Sequence, residues 1–239
     1  MTMRLEKVVP WGRSKREYFG MFNLTDECLQ HTILGCGDGP ASFNAEMTAC
    51  GGHVISCDPL FDFSGQEIYQ RFEESLEEVL RQVKATPDRW VWKYHADPDD
   101  LKRNRTEAIR KFVADYEQGK QQGRYVTAEL PVLPFQDNQF DLALCSHFLF
   151  LYSDHFSEEF HVQSALELCR VARDIRIFPV LTLEQKTSPH LEAVCRAAQN
   201  AGLHAEIVSV DYELQKGGNQ MLRIRKKIVP AHAASFTSL

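Results

Sequence analysis

Three glycines alternate behind a short apolar stretch in HTILGCGDGPASF, residues 31–43. Gly35, Gly37 and Gly39 lack a Cβ, so the backbone can take positive φ there and approach a ligand closely. Loops of this kind cradle nucleotides. A Walker-type phosphate loop needs a lysine followed by Ser or Thr, and none follows here. A dinucleotide fingerprint, G-x-G-x-x-G, finds Gly35 and Gly37 and then meets Pro40. Moving the frame to Gly37 and Gly39 puts Ser42 third. Asp38 is an objection to either phosphate ligand, because a carboxylate facing a pyrophosphate meets like charge.

Other residues add to the set. Asp58 closes the β-branched run HVISCD, 19 residues beyond Gly39. An acid about 20 residues after such a loop meets ribose hydroxyls, and its two oxygens suit two adjacent donors. Its alternative role is capping the turn at Pro59. Glu129 has two readings as well, a ligand acceptor or an exposed acid at a strand end. His147 follows FDLALCS and is a candidate general base, or else a packed histidine beside FLFLY. His155 and His161 are less well placed. Nine histidines without paired spacing predict no metal site. Trp90, Trp92 and Tyr94 alternate as in a strand. They either line a substrate pocket or anchor neighbouring helices.

The elements that must position these residues follow from periodicity. Ser14 caps a short helix over 14–22. A strand ends in the glycine loop. Pro40 opens a helix over 41–49, which Gly51-Gly52 stops. Residues 53–58 form a buried strand. Helical spacing then runs over 66–84 through Ile68, Phe72, Leu76, Val79, Leu80 and Val83, and over 99–116 through Leu101, Ile109, Phe112 and Val113. Strands are predicted at 124–130, 140–147 and 174–183, and helices at 161–172 and 188–202. Ser188 caps the latter, Pro189 takes its first position and Gly202 stops it. Alternation at Val208, Val210, Tyr212 and Leu214, repeated at Leu222 and Ile224, predicts an antiparallel hairpin turning at Gly217-Gly218. The residues from about Pro230 are expected to fray.

Strands alternating with helices imply a parallel sheet covered on both faces, with ligands bound beyond the strands' carboxyl ends. The 239 residues suffice for one domain with a sizeable core. Composition is ordinary, 44% apolar and 25% charged. The net charge of −6 disfavours general nucleic-acid or anionic-membrane binding. Seven scattered cysteines without a C-x-x-C pair read as buried hydrophobes of a reducing compartment. MTMRLEKVVPWGR has no apolar core of a secretory signal, and FLFLY is too short to span a bilayer. A cytoplasmic location is expected.

A ligand with an adenosine half and no phosphate meets no objection from Asp38. ILGCGDG, GGHVISCDPLF and LPFQDNQFDLALCSHFL, in that order, resemble the class I S-adenosylmethionine-dependent methyltransferases of the methyltransferase 11 type, over about residues 29–225. The resemblance also extends to an uncharacterised bacterial branch through RVARDIRIFPVL and KGGNQMLRI.

It implies an α/β, Rossmann-like three-layer sandwich. The sheet would be seven-stranded and mostly parallel, with a C-terminal antiparallel hairpin. One domain, 1–239, would carry an N-terminal cap over about 1–28 and a helical lid inserted over about 61–123. The cofactor implied is S-adenosylmethionine. Gly35, Cys36, Gly37, Asp38 and Gly39 would form its loop, and Asp58, Pro59 and Leu60 would hold the ribose. Glu129 would meet the adenine, with Phe135 and Leu60 as walls, and Leu130 and Ser146 would be further cofactor-binding residues. Ile33 stands where the family usually has an acid that orders the loop. Arg13 and Tyr18 would compensate as a cap, Arg13 on the cofactor carboxylate. Trp90, Trp92 and Tyr152 would line the pocket of a small-molecule acceptor, with His147 as the catalytic base. The alternatives are an NAD-dependent oxidoreductase and a non-catalytic cofactor-binding protein.

Overall fold

The computed structural model describes residues 10–226; the expected fraying from Pro230 and the first part of the N-terminal cap lie outside them. Ser14 starts the first helix, α1 (Lys15–Phe22), through a capping box: its hydroxyl accepts from the Glu17 N–H, and Glu17 accepts from the Ser14 N–H. β1 (Thr32–Cys36) runs into the glycine loop. α2 (Phe43–Ala49) and β2 (His53–Cys57) follow. The predicted start at Ala41 is two residues early, because Ser42 is the N-cap.

The insertion holds α3 (Gly65–Ala85) and α4 (Pro98–Gln121), as the apolar stripes predict. They pack on each other, and α4 also packs on α2 and on β3 (Tyr125–Val126). The insertion is therefore packed into the body of the domain. Exposed pairs Lys84–Asp99 and Lys102–Glu77 join the two helices. Residues 89–94 form no strand; only Trp90 makes an isolated bridge, to Gln215.

β4 (Phe140–Ser146), α5 (Glu158–Val171), β5 (Ala172–Phe178), α6 (Leu191–Asn200), β6 (Leu203–Ser209) and β7 (Gln220–Lys226) complete the order. Several boundaries shift: the strand expected over 124–130 is only Tyr125–Val126, and the helix expected from His161 starts at Glu158. β5 stops at Phe178, and Ser188 caps no helix. Its hydroxyl instead pairs with Ser153 at 2.8 Å and accepts from the His190 N–H. The hairpin is real, yet Gly217-Gly218 is not its two-residue turn. Ser209 pairs with Gln220, and a long connection between them buries Tyr212. Alternation at 208–214 reflects side chains dipping into the body from this connection.

The seven strands are ordered β3-β2-β1-β4-β5-β7-β6. β1 to β5 are parallel, and β7 runs antiparallel between β5 and β6. Period-two alternation splits the strands between two cores. Ile33, Leu142 and Leu144 join the core under α1 to α4, whereas Leu34, Ala143 and Cys145 join the one under α5 and α6. This is a three-layer, Rossmann-like sandwich. Strand order reverses between β1 and β4, so the crevice for a ligand lies where the glycine loop and His147 emerge. All seven cysteines are free, four of them buried, and Cys50 is exposed. Among the described residues no helix is long and apolar enough to cross a membrane.

Candidate active site

A cleft of about 640 Å³ opens at that crevice, within the range of small-molecule sites. Its floor is the glycine loop. Gly37 and Gly39 have φ of 66° and 53°. A Cβ on Gly37 would stand 3.0 Å from Phe148. Gly35 does not border the cleft. A Cβ there would lie 1.8 Å from the Asp38 carboxylate, so this glycine makes room for an acid and not for a ligand.

Asp38 corrects the expectation that its carboxylate faces the ligand. The residue borders the cleft, but the side chain turns inward. Oδ1 accepts from the Tyr18 hydroxyl at 2.7 Å and Oδ2 from the Ser56 hydroxyl at 2.7 Å. Burial pushes its pKa up to about 7 against these two donors, and Asp58 adds to the rise. Tyr18 therefore does not cap the site. It is fully buried under the loop, stacked on Phe43 at 4.2 Å, because Asp38 requires a buried donor.

Asp58 takes the capping role expected of it and also braces the glycine loop. Oδ1 accepts from the Leu60 N–H at 2.8 Å, capping the turn Pro59–Asp62. Oδ2 accepts from the Gly39 N–H at 2.8 Å. Each oxygen keeps a lone pair for the cleft. Burial raises its pKa, and Glu129 contributes. Pro59, Leu60, Glu129, Leu130, Cys36 and Ser146 border the cleft as expected. Phe135 does not, being packed edge-on to Phe140 at 5.1 Å.

The N-terminal segment forms the facing wall. A Cβ on Gly12 would overlap Pro40 O at 1.9 Å, so only glycine lets this segment lie on the loop. The Ser42 N–H donates to Arg13 O at 3.1 Å. The Arg13 guanidinium donates to Trp11 O, while its Nε has no partner. Among the described residues no carboxylate pairs with it. Burial, with Arg105 nearby, lowers its pKa to about 10.

His147 and Arg13 also border a second cavity of about 70 Å³. Val79 and Val83 of α3, Leu101 of α4, Trp90, Tyr152 and Leu214 line it. Trp92 borders neither cavity and packs against the core, which corrects its assignment to the pocket. His147 sits at φ 53°, and its N–H donates to Phe178 O at 2.6 Å. Burial, together with Arg13 and Arg105, holds its pKa well below the usual histidine range, so the ring is neutral.

Behind this wall is a buried ion pair. Arg105 of α4, 1% exposed, donates from Nη1 and Nη2 to the two Glu17 oxygens, each at 2.8 Å. Tyr212 donates to Glu17 at 3.0 Å, and His95 lies 3.3 Å from it. Sequence reasoning overlooked Arg105, although a charge on the apolar stripe between Leu101 and Ile109 was the available signal. It also passed over Gly12, Ser56 and Phe148. Phe148 opened the run FLFLY, which read only as an apolar cluster. Phe156 and Phe160, stacked at 4.4 Å, and Arg71 also border the cleft. They come from segments whose approach only the tertiary fold reveals.

The sheet is of the Rossmann-like kind, with a glycine loop after β1 and an acid after β2. No family model matches the chain. A protein of Methanocaldococcus jannaschii, MJ0045, itself uncharacterised, is 31% identical over 225 residues, covering 94% of this chain and 99% of the relative. The chain belongs to the family of that archaeal protein. Among solved structures it is similar to magnesium protoporphyrin IX methyltransferase of Synechocystis PCC 6803 with bound SAM (13% identity, 82% of this chain and 70% of that one, TM-score 0.42). It is also similar to a SAM-dependent methyltransferase of Aquifex aeolicus (15% identity, 87% and 90%, TM-score 0.40).

Proposed function

We propose that the protein transfers a methyl group from S-adenosylmethionine to a small molecule. One observation carries the choice of ligand: three amides of the loop are already committed. The Gly37 N–H donates to Cys57 O at 2.9 Å, the Gly39 N–H to Asp58 and the Ser42 N–H to Arg13 O. A pyrophosphate needs such amides free. Asp38 itself turns inward, so the committed amides rather than like-charge repulsion disfavour a dinucleotide. Asp58 and Glu129 are acceptors suited to ribose hydroxyls and an adenine amino group. Arg13, a guanidinium without a carboxylate partner among the described residues, suits the amino-acid carboxylate.

When bound, S-adenosylmethionine supplies the electrophilic methyl carbon. The chain's part is alignment and exclusion of water. α3 covers the cleft with Arg71 and the second cavity with Val79 and Val83, which supports its role as a lid over the acceptor. Calorimetry with S-adenosylmethionine, S-adenosylhomocysteine and NAD tests the cofactor. Transfer from labelled cofactor into a fractionated small-molecule extract tests the activity. Binding of NAD alone would reverse the assignment, and binding without transfer into any fraction would favour a non-catalytic binder.

A further inference from the structure

We propose that the second cavity docks a carboxylate of the methyl acceptor on the N–H donors of Trp11, Arg13 and Arg105. This rests on the methyltransferase reading above and names the acceptor class that reading leaves open, a small apolar monocarboxylate.

Six buried side-chain nitrogen or oxygen atoms have no hydrogen-bond partner among the described residues, and three of them are Trp11 Nε1, Arg13 Nε and Arg105 Nε. All three are donors, and all three residues line the cavity of about 70 Å³. Buried donors are nearly always paired, so three without an acceptor in one small wall mark a place for an acceptor. Trp11 ties the group together. Its carbonyl accepts from the Arg13 guanidinium, and its ring centroid lies 5.9 Å from Arg105 Cζ. Trp11 is 8% exposed and Arg105 1%, so neither is a solvated surface group. The donors are also held in place. Gly12 presses the N-terminal segment onto Pro40. Arg105 spends Nη1 and Nη2 on Glu17, at 2.8 Å each, which leaves Nε.

Charge selects a monoanion. No acidic side chain lines the cavity. Of the two guanidinium charges, Glu17 answers that of Arg105. Arg13, with a pKa of about 10, keeps its charge at neutral pH, while His147 is neutral. One positive charge is left over, which suits a carboxylate and falls short of a doubly charged phosphate. The cofactor does not consume this match. S-adenosylmethionine sets an ammonium and a sulfonium against one carboxylate, so a positive excess at this end of the cleft persists when Arg13 holds that carboxylate. Arg13 borders both spaces and has several N–H groups to share between them.

The rest of the wall selects the body of the ligand. Val79 and Val83 of α3, Leu101 of α4 and Leu214 offer only hydrocarbon. At roughly 10 to 15 Å³ for each water-sized occupant, the cavity takes about five to seven heavy atoms. It therefore holds one end of the acceptor. Trp11, Arg13 and His147 border both cavity and cleft, and past them the other end meets the cofactor.

Spectra of the full chain with labelled Val and Leu methyls, saturated with S-adenosylhomocysteine at neutral pH, test this with two probes of one shape, isovalerate and isovaleramide. Isovalerate should shift the methyls of Val79, Val83, Leu101 and Leu214, and isovaleramide should bind at least about tenfold more weakly, since a bond to a charged acceptor is the stronger one. Trp11→Phe keeps a ring and loses a donor, and should weaken isovalerate about tenfold. The comparison of the two probes on the wild type needs no variant to fold. Equal responses to both probes, no shift of these four residues, or unchanged affinity in folded Trp11→Phe would overturn the proposal. So would displacement of S-adenosylhomocysteine with shifts confined to Leu60 and Leu130, which would seat isovalerate in the cofactor's place. Inorganic phosphate shifting the same methyls as strongly as isovalerate would overturn the choice of a monocarboxylate. Leu60 and Leu130 report cofactor binding in the same sample. If S-adenosylhomocysteine fails to bind, the methyltransferase reading falls and the two probes on the unliganded chain still decide the anion site. If it binds and isovalerate does not, the anion site alone falls.

Discussion

Replacing Asp38 by Asn isolates the energetic consequence of a buried acid under the glycine loop. Its folded pKa is about 7 against an ordinary 3.8. Because the folded value is raised, the associated stability is fully present below the unfolded pKa and is lost as pH rises through the folded one. At roughly 1.4 kcal/mol per unit, the loss between about pH 4 and pH 7 totals about 4 kcal/mol. About 1 kcal/mol of this is already gone at about pH 4.5, so about 3 kcal/mol separates that pH from about pH 8.5. The asparagine side chain keeps an oxygen for the Tyr18 hydroxyl and has an amide to offer Ser56, and it does not titrate. The variant should therefore gain on the wild type by about 3 kcal/mol over this interval. Urea unfolding of both proteins at a series of pH values reads the difference directly. Titrations shared by the two chains, Glu17 included, cancel in it. Two parallel stability curves would show that Asp38 ionises normally in the folded protein and would refute the reasoning.

Further outcomes are expected elsewhere in the site. Asp58→Ala should weaken S-adenosylmethionine binding by about 2 to 4 kcal/mol in calorimetry, since two charge-assisted acceptors and the brace on Gly39 are lost together. Arg105→Ala leaves the Glu17 carboxylate buried and unpaired, and should destabilise the fold by about 3 to 5 kcal/mol in denaturant titration. Arg105 and the bonds to Glu17 hold that carboxyl well below the usual range. The stability it contributes is present above the ordinary glutamate pKa and is lost as pH falls through the folded one, so acid unfolding should begin earlier in the variant. Trp92→Ala should lower the melting temperature and leave turnover by the folded fraction unchanged, whereas Trp90→Ala should lower turnover of the acceptor.

Most of the sheet was legible because buried parallel strands read as continuous β-branched runs, and the two insertion helices carry unbroken apolar stripes. The hairpin misled because Val210, Tyr212 and Leu214 alternate as in a strand while serving as anchors of a connection. That Asp58 lies against the glycine loop was legible from spacing alone. Asp38 was found but misdirected, since its orientation is set by Tyr18 and Ser56, neither of which spacing links to the loop. Trp92 illustrates the converse: its neighbour Trp90 faces the second cavity, and only the bridge of Trp90 to Gln215 decides which ring does so.

The ion pair behind the site also has a consequence for the order in which the protein is made. Glu17, Arg105 and Tyr212 are drawn from the beginning, middle and end of the chain. During synthesis the carboxylate of α1 waits for its guanidinium until the second insertion helix has emerged, and for its tyrosine until the connection after β6 has been added. Until then α1 has no buried partner for the Glu17 charge, and the segment holding Arg13 is held by local contacts, those with Pro40, Ser42 and Asp38 among them. Such distant pairing is slow to form because the long intervening loops must be closed first. The nucleotide crevice should accordingly be the last region to mature on the ribosome, so nascent chains should acquire the sheet before they acquire the ability to retain a ligand.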